Sequence, residues 1–284
     1  MRRERRGGRA MVRRGFTEIA EGQVHWRAMG QGGTPFVMLH PSPYSSLVLE
    51  GLVAEMGMDR LALAPDTLGN GDSCPPTPSE PDIAYFADAT CRLLDAMGIA
   101  QADVYGAHTG ARIATEIALT RPGLVRKLVL DGFGLYTLED LDEILRVYAP
   151  ELVPDMHAAH LMWTWHFVRD QHLFFPWFKR DAGHRYVRDM PDPARLHALF
   201  LEVAKAVTTY HRSYRAAFRY SMAEAVPKLD VPTLIAFTRS DMVFPLLDRA
   251  HALLPGAARA ELPGLETPED CAATAAILRG FLDG

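Results

Sequence analysis

The sequence predicts an α/β fold: a mostly parallel β-sheet with helices on both faces, interrupted by one long helical stretch. Three observations carry this reading. Short apolar runs such as Phe36-Val-Met-Leu39 have the form of strands buried on both faces, and they alternate with segments of helical period. One of these strands, within Asp103-Val-Tyr-Gly-Ala-His-Thr-Gly-Ala-Arg112, turns sharply at Gly106-Ala-His-Thr-Gly110 and feeds a helix. The alternation then stops from about Gly134 to Val226, where the period is helical almost throughout, and resumes at Val231.

Taken in order, residues 1–14 read as a disordered basic tail built on Met1-Arg-Arg-Glu-Arg-Arg-Gly-Gly-Arg9. Met11 is an alternative start, and a surface-binding arm is the other reading. Gly15 to Ala20 and Val24 to Ala28 alternate around Glu21-Gly22 as an antiparallel hairpin. After Phe36–Leu39 the loop His40-Pro-Ser-Pro-Tyr-Ser-Ser46 opens, and a helix capped by Ser45 or Ser46 runs to about Met56. A strand and glycine-rich turn follow over Arg60-Leu-Ala-Leu-Ala-Pro-Asp-Thr-Leu-Gly-Asn-Gly-Asp-Ser73, then a helix from Ile83 to Met97. The elbow strand leads into a helix over Thr109 to Thr120, and Val125-Arg-Lys-Leu-Val-Leu-Asp131 is the next buried strand.

Breaks at Pro150, Pro154, Pro176 and Pro191-Asp-Pro193 divide the helical stretch. Val231-Pro-Thr-Leu-Ile-Ala-Phe-Thr238 is a strand, Pro245 to Leu254 a helix, Ala258 to Leu262 a short strand, and Pro268 to Leu282 the closing helix.

The motifs of this chain resemble those of the α/β-hydrolase family from about residue 16 to 283. Ala64-Pro-Asp-Thr-Leu-Gly-Asn-Gly-Asp-Ser73 is similar to the family's A-P-D-x-x-G-x-G-x-S signature. The loop at His40, Ser42 and Pro43 sits where the family carries H-G-x-P, with Pro41 in the place of glycine. The elbow resembles G-x-S-x-G with His108 where serine is usual. The resemblance implies a core over 15–133 and 227–284, a helical cap over 134–226 lying above the elbow, and ligands at the carboxyl ends of the strands.

It also implies a triad in the order nucleophile, acid, histidine. Thr238-Arg-Ser-Asp241-Met-Val-Phe-Pro245 matches the acid, so Asp241 takes that role. The histidine has no counterpart: Leu262-Pro-Gly-Leu-Glu-Thr-Pro-Glu-Asp270 either places Glu266 there or deletes the loop. Serine-esterase chemistry needs an imidazole beside its hydroxyl, so it is not expected. Backbone donors do not depend on side-chain type, and the amides of Ser42 and Thr109 stay available as an oxyanion hole.

An imidazole at a helix amino end, under a cap, is expected to be neutral near pH 7 and suited to acid–base work, with Asp241 or Glu266 orienting it. The bland alternative is a histidine that fills space or only touches a ligand. In the cap, Trp163-Thr-Trp-His-Phe-Val-Arg-Asp-Gln-His-Leu-Phe-Phe-Pro-Trp-Phe178 is the densest aromatic stretch, and most of it should be packing. Tyr44, Trp163, His166 and Arg169 are the candidate substrate contacts, Arg169 competing with a structural pairing to Asp170.

Composition bounds the partners. The chain has 284 residues, 48% hydrophobic and 23% charged, with a formal net charge of −5, which gives no broad basic surface for nucleic acid. No apolar run approaches the roughly 18 residues of a membrane span and no signal-peptide pattern follows the tail, so a cytoplasmic protein is expected. The three cysteines, Cys74, Cys91 and Cys271, lack metal-ligand or disulfide spacing.

The expectation is a cofactor-independent enzyme, without a metal, acting on a small or medium carbonyl compound through His108. It acts by hydrolysis or by lyase, isomerase or cyclase-type proton transfer. A non-catalytic ligand-binding protein on the same fold is the rival, and the oligomeric state, homodimer included, is left open.

Overall fold

Apolar runs pair only where a neighbouring run can take their amides, and here they assemble into one eight-stranded sheet. The structure, a computed structural model, describes residues 11–136, 138–186 and 189–284, with the backbone alone at 138–140. Of the tail expected over 1–14, residues 1–10 lie outside the described residues. Arg13 and Arg14 already belong to the first strand, because their backbone pairs with Ala28 and Arg27.

The hairpin is β1 (Arg13–Ile19) and β2 (Gly22–Met29), followed by β3 (Phe36–Leu39), α1 (Glu50–Met56), β4 (Ala62–Pro65), α2 (Ile83–Ala96) and β5 (Ala102–Ala107). Then come α3 (Thr109–Thr120) and β6 (Val125–Asp131). The helical stretch holds α4 (Leu138–Val147), α5 (Ala159–Asp170), α6 (Pro193–Lys205), α7 (Tyr210–Arg219) and α8 (Met222–Ala225). β7 (Thr233–Thr238), α9 (Leu247–Ala252), β8 (Ala258–Leu262) and α10 (Pro268–Asp283) close the chain.

The strand order is β1-β2-β4-β3-β5-β6-β7-β8, antiparallel at β1-β2 and β2-β4 and parallel from there on. Crossover helices cover both faces, as parallel pairing requires. On one face Ile113 and Ile117 of α3 and Phe86 and Leu94 of α2 pack with Val37 and Val104; on the other Leu52 and Met56 of α1 and Leu278 of α10 pack with Met38 and Val129.

Local signals set several boundaries. The Asp82 carboxylate accepts from the Tyr85 amide at the start of α2, and Thr267 with Asp270 forms a capping box on α10. The helix expected from Ser45 opens as a 3₁₀ turn over Ser46–Leu49 before α1 begins, a common form for a first turn.

Between β6 and β7 the helices share a core of their own, in which Phe167 stacks on Trp163 at 4.9 Å and meets Trp177 edge-on at 5.4 Å. This layer is fastened to the body on the α6–α7 side. The Thr209 hydroxyl donates to the Gly69 carbonyl at 2.7 Å, Ser213 and Ser42 share a hydrogen bond at 2.9 Å, Arg212 donates to the Pro76 carbonyl at 3.1 Å, and Ser45 donates to Glu202. Among the described residues no helix is long and apolar enough to cross a membrane.

Candidate active site

The elbow is built by two close approaches. A Cβ on Gly106 would lie 2.2 Å from the Gly110 carbonyl oxygen, and one on Gly110 would lie 2.0 Å from that of Leu39, so only glycine lets α3 start directly over β5 and β3. The single residue between β5 and α3 is His108, held at φ 50° and ψ −102°. A non-glycine residue at positive φ is strained, and the surroundings hold it there: its amide donates to the carbonyls of Asp131 at 3.1 Å and Gly132 at 3.0 Å. The strain lifts the imidazole off the sheet edge into a chamber of about 700 Å³ between the strand ends and the cap.

Asp241 arrives from the turn after β7. Its Oδ1 accepts from the Val243 amide at 3.0 Å, leaving Oδ2 to face the imidazole, 2.6 Å from Nε2 of His108. An ionised carboxylate in that place accepts, which puts the proton of the neutral ring on Nε2. Nδ1 has no hydrogen-bond partner among the described residues, and the side chain is 30% exposed, on the wall of the chamber.

The direction of the pKa shift at His108 is opposite to the one the sequence led us to expect. Burial pulls the imidazole toward neutrality, but the Asp241 carboxylate, its hydrogen bond and the charge of Asp131 outweigh it, with Arg112 opposing, and hold the pKa above its ordinary 6.5. The carboxylates come from two different strand ends, so only the folded chain brings them to bear on one ring.

Asp131 carried no sequence signal beyond its place at the end of a strand. Its carboxyl group is buried, accepts from the Tyr105 hydroxyl at 2.5 Å, and has a second oxygen, Oδ1, without a hydrogen-bond partner among the described residues. Desolvation and the neighbouring Asp241 push its pKa up to about 7. Arg112, the fourth residue of α3, was likewise missed. It is 4% exposed and lines the chamber.

The other expected site residues divide. Ser42, Thr109 and Tyr44 line the chamber with His108 and Asp241. Neither the Ser42 nor the Thr109 amide donates a hydrogen bond to another described residue. Glu266 lines the rim but is exposed and turns back to accept from the Leu265 amide at 3.0 Å; the structure joins Asp241, not Glu266, to the imidazole.

Trp163, His166 and Arg169 lie outside the chamber lining. Trp163 belongs to the cap core, and Arg169 donates to Asp170 at 2.7 Å. Helix α5 turns this face to its neighbours in the cap, and the downward wall is supplied by Tyr136, Tyr148, Phe175, Tyr186, Tyr214 and Phe218. His40 supports the loop: its Nε2 accepts from the Thr67 amide at 2.9 Å, and burial lowers its pKa.

No family model matches the chain. Over 103 residues it is 34% identical to a 2-hydroxymuconate semialdehyde hydrolase of Pseudomonas sp. (strain CF600), a match covering 35% of this chain and 36% of that protein. Over 126 residues it is 28% identical to a proline iminopeptidase of Heyndrickxia coagulans, 43% of each. The matched stretches therefore span less than half of these curated relatives.

Among solved structures, a hydrolase from Pseudomonas aeruginosa PA01 superposes with a TM-score of 0.72 at 18% identity, covering 95% of this chain and 98% of the other. The enol-lactonase from Burkholderia xenovorans LB400 superposes with a TM-score of 0.70 at 17% identity, covering 95% and 100%. At these identities the likeness shows the fold, and the fold is the α/β-hydrolase fold.

Proposed function

We propose that this chain is a cofactor-independent enzyme acting on small or medium carbonyl compounds, with His108 as its acid–base group. The observation that carries the reading is the 2.6 Å contact between Nε2 of His108 and Asp241 on the wall of a covered, aromatic-lined chamber. Asp241 orients the ring and stabilises the imidazolium, so that Nδ1 serves as the base. The amides of Ser42 and Thr109 supply the oxyanion donors.

In the hydrolytic form, Nδ1 takes a proton from water as the water oxygen bonds to the carbonyl carbon of an ester or lactone. The carbonyl electron pair moves to the oxyanion held by the two amides. Collapse breaks the bond to the leaving oxygen, which takes the proton back from the imidazolium. With an enolisable ketone the same base removes the α-proton and the same amides hold the enolate, which is the lyase or isomerase form. The hydrolase names of the relatives favour the first, and their action on enol-lactones and semialdehydes supports a carbonyl substrate.

A panel of activated esters, lactones and enolisable ketones tests this in the wild type and in His108→Ala. Turnover that disappears in the variant supports the reading. A wild type that binds panel members without turning any over would make the chain a ligand-binding protein, and labelling by a fluorophosphonate would restore a serine nucleophile.

A further inference from the structure

Among the described residues, Arg112 is a buried cation without a counter-ion. Its guanidinium carries five N–H donors, of which Nη1 donates to the His108 carbonyl at 3.1 Å and Nη2 to the Gly134 carbonyl at 3.2 Å, while Nε has no acceptor among the described residues. Among the described residues it forms no salt bridge. Among the described residues, the influences on its charge are burial, which lowers its pKa, and the phenols of Tyr136 and Tyr220; no carboxylate is among them. Burying an arginine unpaired is costly, and buried charges are as a rule paired.

The chamber supplies the route. Arg112 shares its wall with His108, lies in the first turn of the same helix, and is near enough for its charge to be felt at the imidazole. Asp131 and Asp241 bear on the same imidazole and line the same chamber, so both signs of charge face one cavity.

We propose that Arg112 is the anchor for a carboxylate of the substrate, so that the chamber selects carbonyl compounds that carry a carboxylate over their neutral counterparts. The planar guanidinium fork matches a carboxylate, and one negative charge balances it; a phosphate dianion would bring a second charge toward Asp131 and Asp241. This deepens the reading of the chamber as a substrate site and rests on it, but it does not depend on which reaction occurs there.

The test uses aryl alkanoates with one to four methylenes between ring and carboxylate, each paired with its primary amide. Binding is measured by calorimetry in the wild type and in His108→Ala, whose backbone carbonyl still accepts from Arg112. Because these probes are not substrates, the outcome stands even if the catalytic role of His108 fails. At least one acid binds about tenfold or more tightly than its amide, the size expected of a charge-assisted hydrogen bond. The ratio falls to near one in Arg112→Gln and partly returns in Arg112→Lys. A ratio near one for every pair, an acid preference kept in Arg112→Gln, or no binding in either series would overturn the proposal. Should Arg112→Gln fail to fold, the wild-type ratio and Arg112→Lys decide, since a purely structural arginine would leave acid and amide equivalent.

Discussion

Nε2 of His108 and Oδ2 of Asp241 lie 2.6 Å apart although 133 positions separate them in the chain. A strand-to-helix turn presents one and a strand-to-loop turn the other. In Asp241→Asn the acceptor is lost and an amide can stabilise the other tautomer. Turnover should fall by about 10²- to 10⁴-fold with the melting temperature little changed. Steady-state kinetics beside a thermal melt checks this, and unchanged turnover would remove Asp241 from the mechanism.

The pH profile follows from the shift at His108. A base works when deprotonated, and this ring holds its proton above the ordinary 6.5, so kcat/KM should rise with pH through a limb above that value. Asp131→Asn removes one of the charges that retain the proton, and the limb should move to lower pH. A limb that stays put would mean that Asp131 is not felt at the ring.

Asp131 also links folding to pH. The folded chain keeps this proton up to about 7, against 3.8 for an ordinary aspartate, so between those values the folded state binds more protons than the unfolded one. Stability from this group therefore falls as pH rises through that window. Relative to wild type, Asp131→Asn should gain melting temperature as pH rises from about 4 to about 7. A constant difference across the window would refute the shift.

Gly132 sits beneath the dyad at φ 59°, and a Cβ there would lie 3.1 Å from Oδ2 of Asp241 and 3.4 Å from Nε2 of His108. Gly132→Ala should cost about 1–2 kcal/mol in backbone strain. It should also lower kcat more than it raises KM, because the methyl displaces the reacting pair and not the distant walls. Denaturant unfolding and kinetics separate the two effects.

Arg169 provides a control. It pairs with Asp170, which is 1% exposed and also bridged by Arg180 at 2.8 Å, and it does not line the chamber. Arg169→Ala should lower the melting temperature and leave kcat and KM at wild-type values. A raised KM would return Arg169 to the substrate site.

Much of the scaffold was legible because its signals are local. The apolar run Phe36–Leu39, the strand Val125–Asp131 and the elbow helix Thr109–Thr120 are found where the sequence places them. Backbone pairing and glycine spacing act within a few residues. The first helix was read without its 3₁₀ opening, and β1 begins two residues before the hairpin was expected to start.

The cap was less legible. Helical period shows that α5 has a buried face but not whether that face meets the cap core or the chamber, so Trp163, His166 and Arg169 were placed in the site while Tyr148, Tyr214 and Phe218 were not.

The sequence by itself determined the kind of fold, the turn that exposes position 108 and the aspartate that follows β7, since each is written in consecutive residues. Only the tertiary structure decided the direction of the imidazole's pKa shift, the rise of the Asp131 pKa and the burial of Arg112. Burial and electrostatic contact depend on which distant strand ends and helices meet, and no local pattern records that meeting.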